Sequence, residues 1–290
     1  MWNALTAVRY RLEYAGFRIA AALFIALPIE KASALSGTLW RLIAPRLRRH
    51  QRAVKQLAAA FPEKSLAECE AIARSMWETM GRTFGEFFHL DEIHRGTRID
   101  GADVDATVNR LPEHKGFVAC APHQGNWEIA VMGLAPGQFN AAGLYQRVKN
   151  PLVDAWVRQQ REKHYPGGLF QKQAASGLKL LRHVRQGGVL AMMADLRDGD
   201  GPRVTFFGRE APSTPFPAMV ARGLDVPLFA VTIVREPGVR FKISLAPVDV
   251  PQTGDREADI LRATANLHAA FEASIRRRPE QWMWAHRRWG

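Results

Sequence analysis

From residue 97 onward, short apolar runs alternate with longer segments of helical periodicity, which restricts the chain to folds that pack helices on a sheet. The spacing predicts strands at 97–99, 116–121, 141–144, 189–194, 227–234 and 240–245. Helices are expected between them at about 127–134, 151–164, 174–186 and 214–223, with a long one at about 255–277. Glu236-Pro237-Gly238 reads as a hairpin turn, so the last two strands are expected to run antiparallel. The fold class is therefore α/β, with a mixed, mostly parallel sheet flanked by helices.

The first ninety residues read differently, because they carry helical pattern and no strand signal. One helix is expected from Trp2 to about Leu27, stopped near Pro28, and a second from about Lys31 towards Pro45. A third opens at Arg46-Leu47-Arg48-Arg49. Its strongly cationic first turn is unfavourable for the helix dipole alone and easier to understand facing lipid phosphates. Ser65-Leu66-Ala67-Glu68 has capping-box spacing and starts a fourth helix that runs to about Phe88. The expected division is a helical membrane anchor over 1–50 and an α/β domain over 51–290.

Charge supports that division. The chain carries a net +12. Residues 1–60 hold ten Lys and Arg against Glu13 and Glu30, and residues 276–290 hold five Arg against Glu280, so the two ends account for the whole excess. Such ends suit nucleic acid or an anionic membrane. Zinc-finger spacing, an RNP-like motif and a helix-turn-helix are missing, and the N-terminal cations flank the apolar segment 19–29, so the membrane is favoured and nucleic acid is not expected. That segment is short for a spanning helix and has Arg18 upstream. A tilted span over about 5–27 and a monotopic anchor both remain open. The two cysteines, Cys69 and Cys120, give no disulfide framework.

Chemistry concentrates in Ala121-Pro122-His123-Gln124-Gly125-Asn126-Trp127-Glu128, between the strand at 116–121 and the expected helix at 127–134. His123 and Glu128 would lie roughly 140° apart on one helix, so they must sit in a turn to cooperate. Gly125 permits such a turn, and Asn126 is a good N-cap for a helix starting at Trp127. The stretch offers an imidazole base beside a carboxylate, or a structural histidine capping a helix. A strand end leading into a helix is where α/β sheets bind ligands. Arg147, in Tyr145-Gln146-Arg147, could neutralise phosphate or developing negative charge. Arg158 and Arg161 read as surface residues or as a landing patch for an acidic partner. The aspartates from Asp195 to Asp200 lack EF-hand spacing and read as a polar loop on the same sheet edge, so no metal is expected. A G-x-S-x-G elbow, a P-loop and an H-E-x-x-H helix are all missing, which makes direct transfer from a base-activated hydroxyl the economical mechanism.

Four segments carry a resemblance: His123 to Glu128; Tyr145-Gln146-Arg147 before Asn150-Pro151; Val204-Thr205-Phe206-Phe207-Gly208; and Pro279-Glu280-Gln281-Trp282-Met283-Trp284-Ala285-His286-Arg287-Arg288-Trp289. Together with Ala60-Phe61-Pro62-Glu63-Lys64 and Met80-Gly81-Arg82, they resemble the lipid A biosynthesis acyltransferases of the lauroyl/myristoyl type, within the wider glycerolipid acyltransferases. The resemblance implies a glycerolipid-acyltransferase-like sheet and an enzyme on the cytoplasmic face of the inner membrane. It implies acyl transfer from acyl carrier protein to a hydroxyl of a lipid A precursor, with no cofactor. By position, His123 is the general base and Glu128 its orienting carboxylate. Arg147, Asn126 and Asp195 are the substrate-binding positions. Many relatives carry a polar residue after the aspartate where this chain has Leu196, which leaves open the role of that loop and a different lipid acceptor, such as a lysophospholipid, an ornithine lipid or a glycolipid. The ending, with Trp282 and Trp284 beside Arg287 and Arg288, suits either a membrane interface or a tail packed on the core.

Overall fold

The computed structural model describes residues 4–112, 115–133 and 139–289. Four helices come first: α1 (Ala4–Ala26), α2 (Ile29–Ile43), α3 (Arg48–Ala60) and α4 (Leu66–Glu86). Trp2, the expected start of the first helix, lies outside the described residues. Pro28 separates α1 from α2, and the capping box at the start of α4 is made: Glu68 N donates to Ser65 Oγ at 3.3 Å, and Ser65 N donates to the Glu68 carboxylate at 2.8 Å. The expected boundary after residue 50 falls inside α3. Among the described residues, no helix is long and apolar enough to cross a membrane.

The remainder alternates: α5 (Leu90–Arg95), β1 (Ile99–Asp100), α6 (Ala102–Val108), β2 (Phe117–Ala121), β3 (Ala141–Tyr145), α7 (Pro151–Glu162), β4 (Gly168–Gln171), α8 (Ala174–Arg185), β5 (Val189–Met193), β6 (Arg203–Phe206), β7 (Arg209–Pro212), α9 (Phe216–Leu224), β8 (Leu228–Glu236), β9 (Arg240–Val248) and α10 (Arg256–Arg277). Seven strands form one sheet in the order β1-β9-β8-β2-β5-β3-β4. Only β8 and β9 pair antiparallel in it, with Glu236 opposite Arg240 across a turn that holds Gly238 at φ +78°. This is the expected α/β architecture with a mostly parallel sheet.

Several local readings differ, and the short helices α5 and α6 are not among those expected. The segment 127–134 forms only a 3-10 turn at Trp127–Ile129 followed by turns to Gly133, and Leu134 lies outside the described residues. Ile129, Val131 and Met132 are all buried, and these point in directions that one face of a helix could not bury together. β4 escaped notice because it is a half-buried edge strand of four residues starting at a glycine. The separate β6–β7 hairpin lies in the loop after Asp195, where only a motif had been read.

Helices cover both faces of the sheet. On one side Leu57 of α3, Trp77 of α4, Leu180 and Val184 of α8, Val220 of α9 and Phe271 of α10 share a core. On the other, Ile93 of α5, Val104 of α6 and Ile129 pack with Ile29 at the start of α2. Helix α2 lies against α4 with almost no side chain between them: a Cβ added at Gly85 would stand 2.6 Å from Ala32 O. That approach lets Ser33 of α2 reach Glu86, a contact that matters to the site below.

Candidate active site

Four parallel strands, β2, β3, β4 and β5, deliver their C-terminal ends to one edge of the sheet, where α/β folds place their ligands. A cavity of about 810 Å³ opens there. That volume falls in the range of small-molecule sites. His123 and Glu128 after β2, Gln146 after β3, Lys172 after β4 and Leu196 after β5 all reach its wall. Leu144, Leu169, Leu180, Met192 and Phe216 make much of the remaining lining apolar, which suits a hydrocarbon chain.

The loop carrying His123 is held by its backbone. Gly125 sits at φ +61°, and a Cβ there would stand 2.5 Å from Ile233 O, so the loop presses directly on β8. Gly125 N donates to Gln281 O at 2.9 Å, Met283 N donates to His123 O at 3.1 Å, and Thr83 Oγ1 donates to Gly125 O at 2.9 Å.

Asp195 is the carboxylate that meets His123. His123 Nδ1 lies 2.7 Å from Asp195 Oδ1, and His123 N donates to Oδ2 at 2.8 Å. Trp282 Nε1 also donates to Oδ2, at 2.8 Å. Asp195 is 1% exposed and His123 15%. Burial alone would raise the Asp195 pKa. The facing imidazole and the three donors outweigh it and hold the carboxyl well below its usual range. A carboxylate on Nδ1 makes Nδ1 the protonated nitrogen and leaves Nε2 as an acceptor towards the cavity.

Glu128 has a different partner from the one expected. Its carboxylate receives both arms of Arg161 from α7, Nε to Oε2 at 2.7 Å and Nη2 to Oε1 at 2.6 Å, so it orients a guanidinium and not the imidazole. Burial works against the charge on Arg161, but Glu128 raises its pKa overall. Arg161 also lines the cavity, contrary to its reading as a surface residue. Sequence held no local sign of this, because only the β3–α7–β4 crossover brings position 161 back over the His123 loop.

Asn126 and Arg147 do not face the cavity. The Asn126 side chain is buried, accepts from Glu128 N at 3.2 Å and donates to Glu86 Oε2 at 2.9 Å, so it caps the turn as expected and ties it to α4. The same Glu86 takes both arms of Arg235 at 2.6 Å and the hydroxyl of Ser33 at 2.6 Å. Arg147 is 58% exposed and sits 3.5 Å from Asp154. The aromatic ending is core: Trp282, Trp284 and Trp289 are buried, so of its two readings the tail packed on the core is the one these residues take. Arg288 is buried with them and donates to Pro212 O at 2.7 Å and Ser213 Oγ at 2.5 Å. His286 stacks near His123, with ring centroids 6.0 Å apart, and completes one wall of the cavity.

Beneath Asp195 lies a second imidazole. His268 is fully buried on α10, with Nδ1 2.9 Å from Thr264 O, and burial with the charge of Arg288 lowers its pKa to about 4. A histidine depressed when folded takes up its proton on unfolding, so its contribution to stability is intact above about pH 6.5 and drains as pH falls towards 4. Over that window the His268→Phe variant is expected to lose about 1.4 kcal/mol per pH unit less than the parent chain. Urea unfolding at pH 7 and pH 4.5 checks it, and parallel pH slopes for the two proteins would refute it.

The family model for bacterial lipid A biosynthesis acyltransferases matches residues 3–290. No curated protein matches the chain.

Proposed function

The chain belongs to the bacterial lipid A biosynthesis acyltransferase family, and from that premise we propose that it moves a fatty acyl group from acyl carrier protein to a hydroxyl of a lipid A precursor. The product is a secondary acyl ester of that lipid. The observation that carries this reading is His123, held at 2.7 Å by the buried Asp195, on the wall of a largely apolar cavity of about 810 Å³.

In the proposed mechanism, Asp195 holds the Nδ1 proton and Nε2 of His123 takes the proton of the acceptor hydroxyl. The hydroxyl oxygen attacks the thioester carbonyl. As the new C–O bond forms and the C–S bond breaks, the leaving thiolate recovers the proton from Nε2. No acyl-enzyme is needed, and the sulfur nearest in sequence suits none: Cys120 is buried within β2, and burial raises its thiol. Arg161, clamped by Glu128, supplies a fixed cation for the charge on the attacked carbonyl oxygen or for a substrate phosphate.

The same reading seats the protein on the cytoplasmic face of the inner membrane. Helix α1 leaves Leu5, Leu12, Ile19 and Leu23 exposed, and α2 leaves Leu39, Leu42 and Ile43 exposed. An apolar surface of that extent calls for a partner. An in-plane seat fits it, with the exposed cations Arg48, Arg49 and Arg52 of α3 meeting anionic headgroups.

Lipid A mass spectrometry from cells with and without the protein, paired with a purified assay using acyl carrier protein thioester, tests the proposal. One additional acyl chain in its presence is the expected result. An unchanged acyl count would sink it.

A further inference from the structure

The charge excess at the two ends of the chain conceals a second concentration inside it. Between Glu162 and Asp195 no acidic residue occurs in the sequence, while Lys163, Lys172, Lys179, Arg182 and Arg185 do. Four of these belong to α8 or to the turn before it. Elsewhere the exposed cations of helices are commonly matched one turn away, as in Arg74 with Glu70, Arg158 with Glu162 and Arg276 with Glu272. On α8 there is nothing to match them. Lys172, Lys179, Arg182 and Arg185 are exposed, and among the described residues their side chains make no hydrogen bond or ion pair.

The face they form is defined. Leu178, Arg182 and Arg185 follow one another at helical spacing, with Lys179 beside them, while Leu180 and Val184 point into the core. Leu178 is 74% exposed, an apolar side chain standing among cations. The face also adjoins the cavity: Lys172, Gln173, Gly177 and Leu180 line it, and Gly177 packs next to Phe216 of α9, another lining residue.

We propose that this face of α8 is the docking surface for the acyl donor, an acidic carrier protein whose thioester-bearing arm enters the cavity beside Lys172. This rests on the donor reading given above. Charge complementarity selects the partner. Three unmatched cations around one leucine, with Lys172 at the cavity, fit an acidic helix with an apolar contact at its centre, the arrangement that steers encounter and fixes orientation. The apolar surface that a bilayer would take belongs to α1 and α2, and α1 covers the face of the sheet opposite α8. Helix α1 rides on α7, with Phe17 and Trp156 rings 5.1 Å apart, and the Tyr165 that follows α7 packs into the core opposite the one that takes Leu180 and Val184. Right-handed crossovers out to β4 and back to β5 require that separation.

The test uses the full chain carrying Lys179→Glu, Arg182→Glu and Arg185→Glu together, none of which lies in the catalytic machinery. KM for the acyl carrier protein thioester is expected to rise about tenfold or more, with a flattened salt dependence. Turnover with the same acyl group on pantetheine alone should not change, which also reports that the variant is folded. Leu178→Ser is expected to raise the carrier-protein KM by a few fold without touching the salt dependence. An unaltered carrier-protein KM in the triple variant would overturn the proposal. So would an equal loss with the pantetheine donor, or a loss of binding to vesicles of anionic phospholipid in place of the KM effect. Failure of the donor reading shows up separately, in the unmodified protein, as turnover with acyl-CoA and none with the carrier protein, and it would take this proposal with it.

Discussion

His123→Ala is expected to lower kcat/KM for acyl transfer about a thousandfold while leaving the fold intact. The size follows from losing the imidazole that Asp195 holds towards the cavity, where Nε2 must accept the hydroxyl proton as the C–O bond forms. The fold should survive because the loop is fastened by backbone groups of His123 and Gly125 and by the Asn126 side chain, none of which the substitution removes. The ring packs partially against Trp127 and His286, at 5.5 and 6.0 Å between centroids, and its loss also leaves Oδ1 of the buried Asp195 without its 2.7 Å partner, which costs some stability. A purified variant that still unfolds cooperatively, with a modestly lowered thermal midpoint and product formation reduced about a thousandfold, is the expected pair of readings. Undiminished transfer would remove His123 from the mechanism.

Asp195→Asn should cost on the order of a hundred- to ten-thousandfold in kcat, though it is nearly isosteric. Oδ2 accepts two hydrogen bonds, from His123 N and Trp282 Nε1, and Oδ1 accepts one from the imidazole. An asparagine has a single oxygen, and the two fixed donors claim it. Its amide nitrogen then faces Nδ1 and donates to it, which moves the imidazole proton to Nε2 and leaves the cavity side without a base. Glu128→Gln makes the contrast, because it acts through Arg161: its defect should be shared with Arg161→Lys and should leave the imidazole NMR signature of His123 unchanged. If Asp195→Asn kept that signature and its activity, the histidine would be oriented by something else.

The alternation of strands and helices made the sheet legible, since buried strands such as β2 and β5 are continuous apolar runs bounded by turn residues. The antiparallel end was legible for the same reason, through Pro237 and Gly238. The helical first ninety residues and their capping box at Ser65 could be read from local signals. The pairing inside the site could not. His123 and Glu128 are neighbours in sequence, and that nearness suggested a dyad. The decisive carboxylate stands 72 residues away at Asp195, and it becomes adjacent only because β2 and β5 lie in register, with Ala121 beside Met193. The sequence marks Asp195 as part of a loop at that sheet edge and, by resemblance, as a substrate-binding position, but no local spacing pairs it with His123. Arg161 and Trp282 depend on crossovers and on a returning tail, and no spacing rule reports either.

That tail has a bearing on how the site is completed. Gln56 of α3 binds the carbonyls of Trp284 and His286 and the N–H of Arg288, contacts that span at least 228 residues of chain. Trp282 secures Asp195, and Met283 secures the carbonyl of His123. The sheet strands all lie between residues 99 and 248, whereas the Asp195 carboxylate lacks one of its three donors, and the His123 carbonyl its partner, until residues 282 and 283 pack against them. The site therefore has its full set of donors only when the segment around Trp282 is docked, so its chemistry is tied to contacts that bridge opposite parts of the chain.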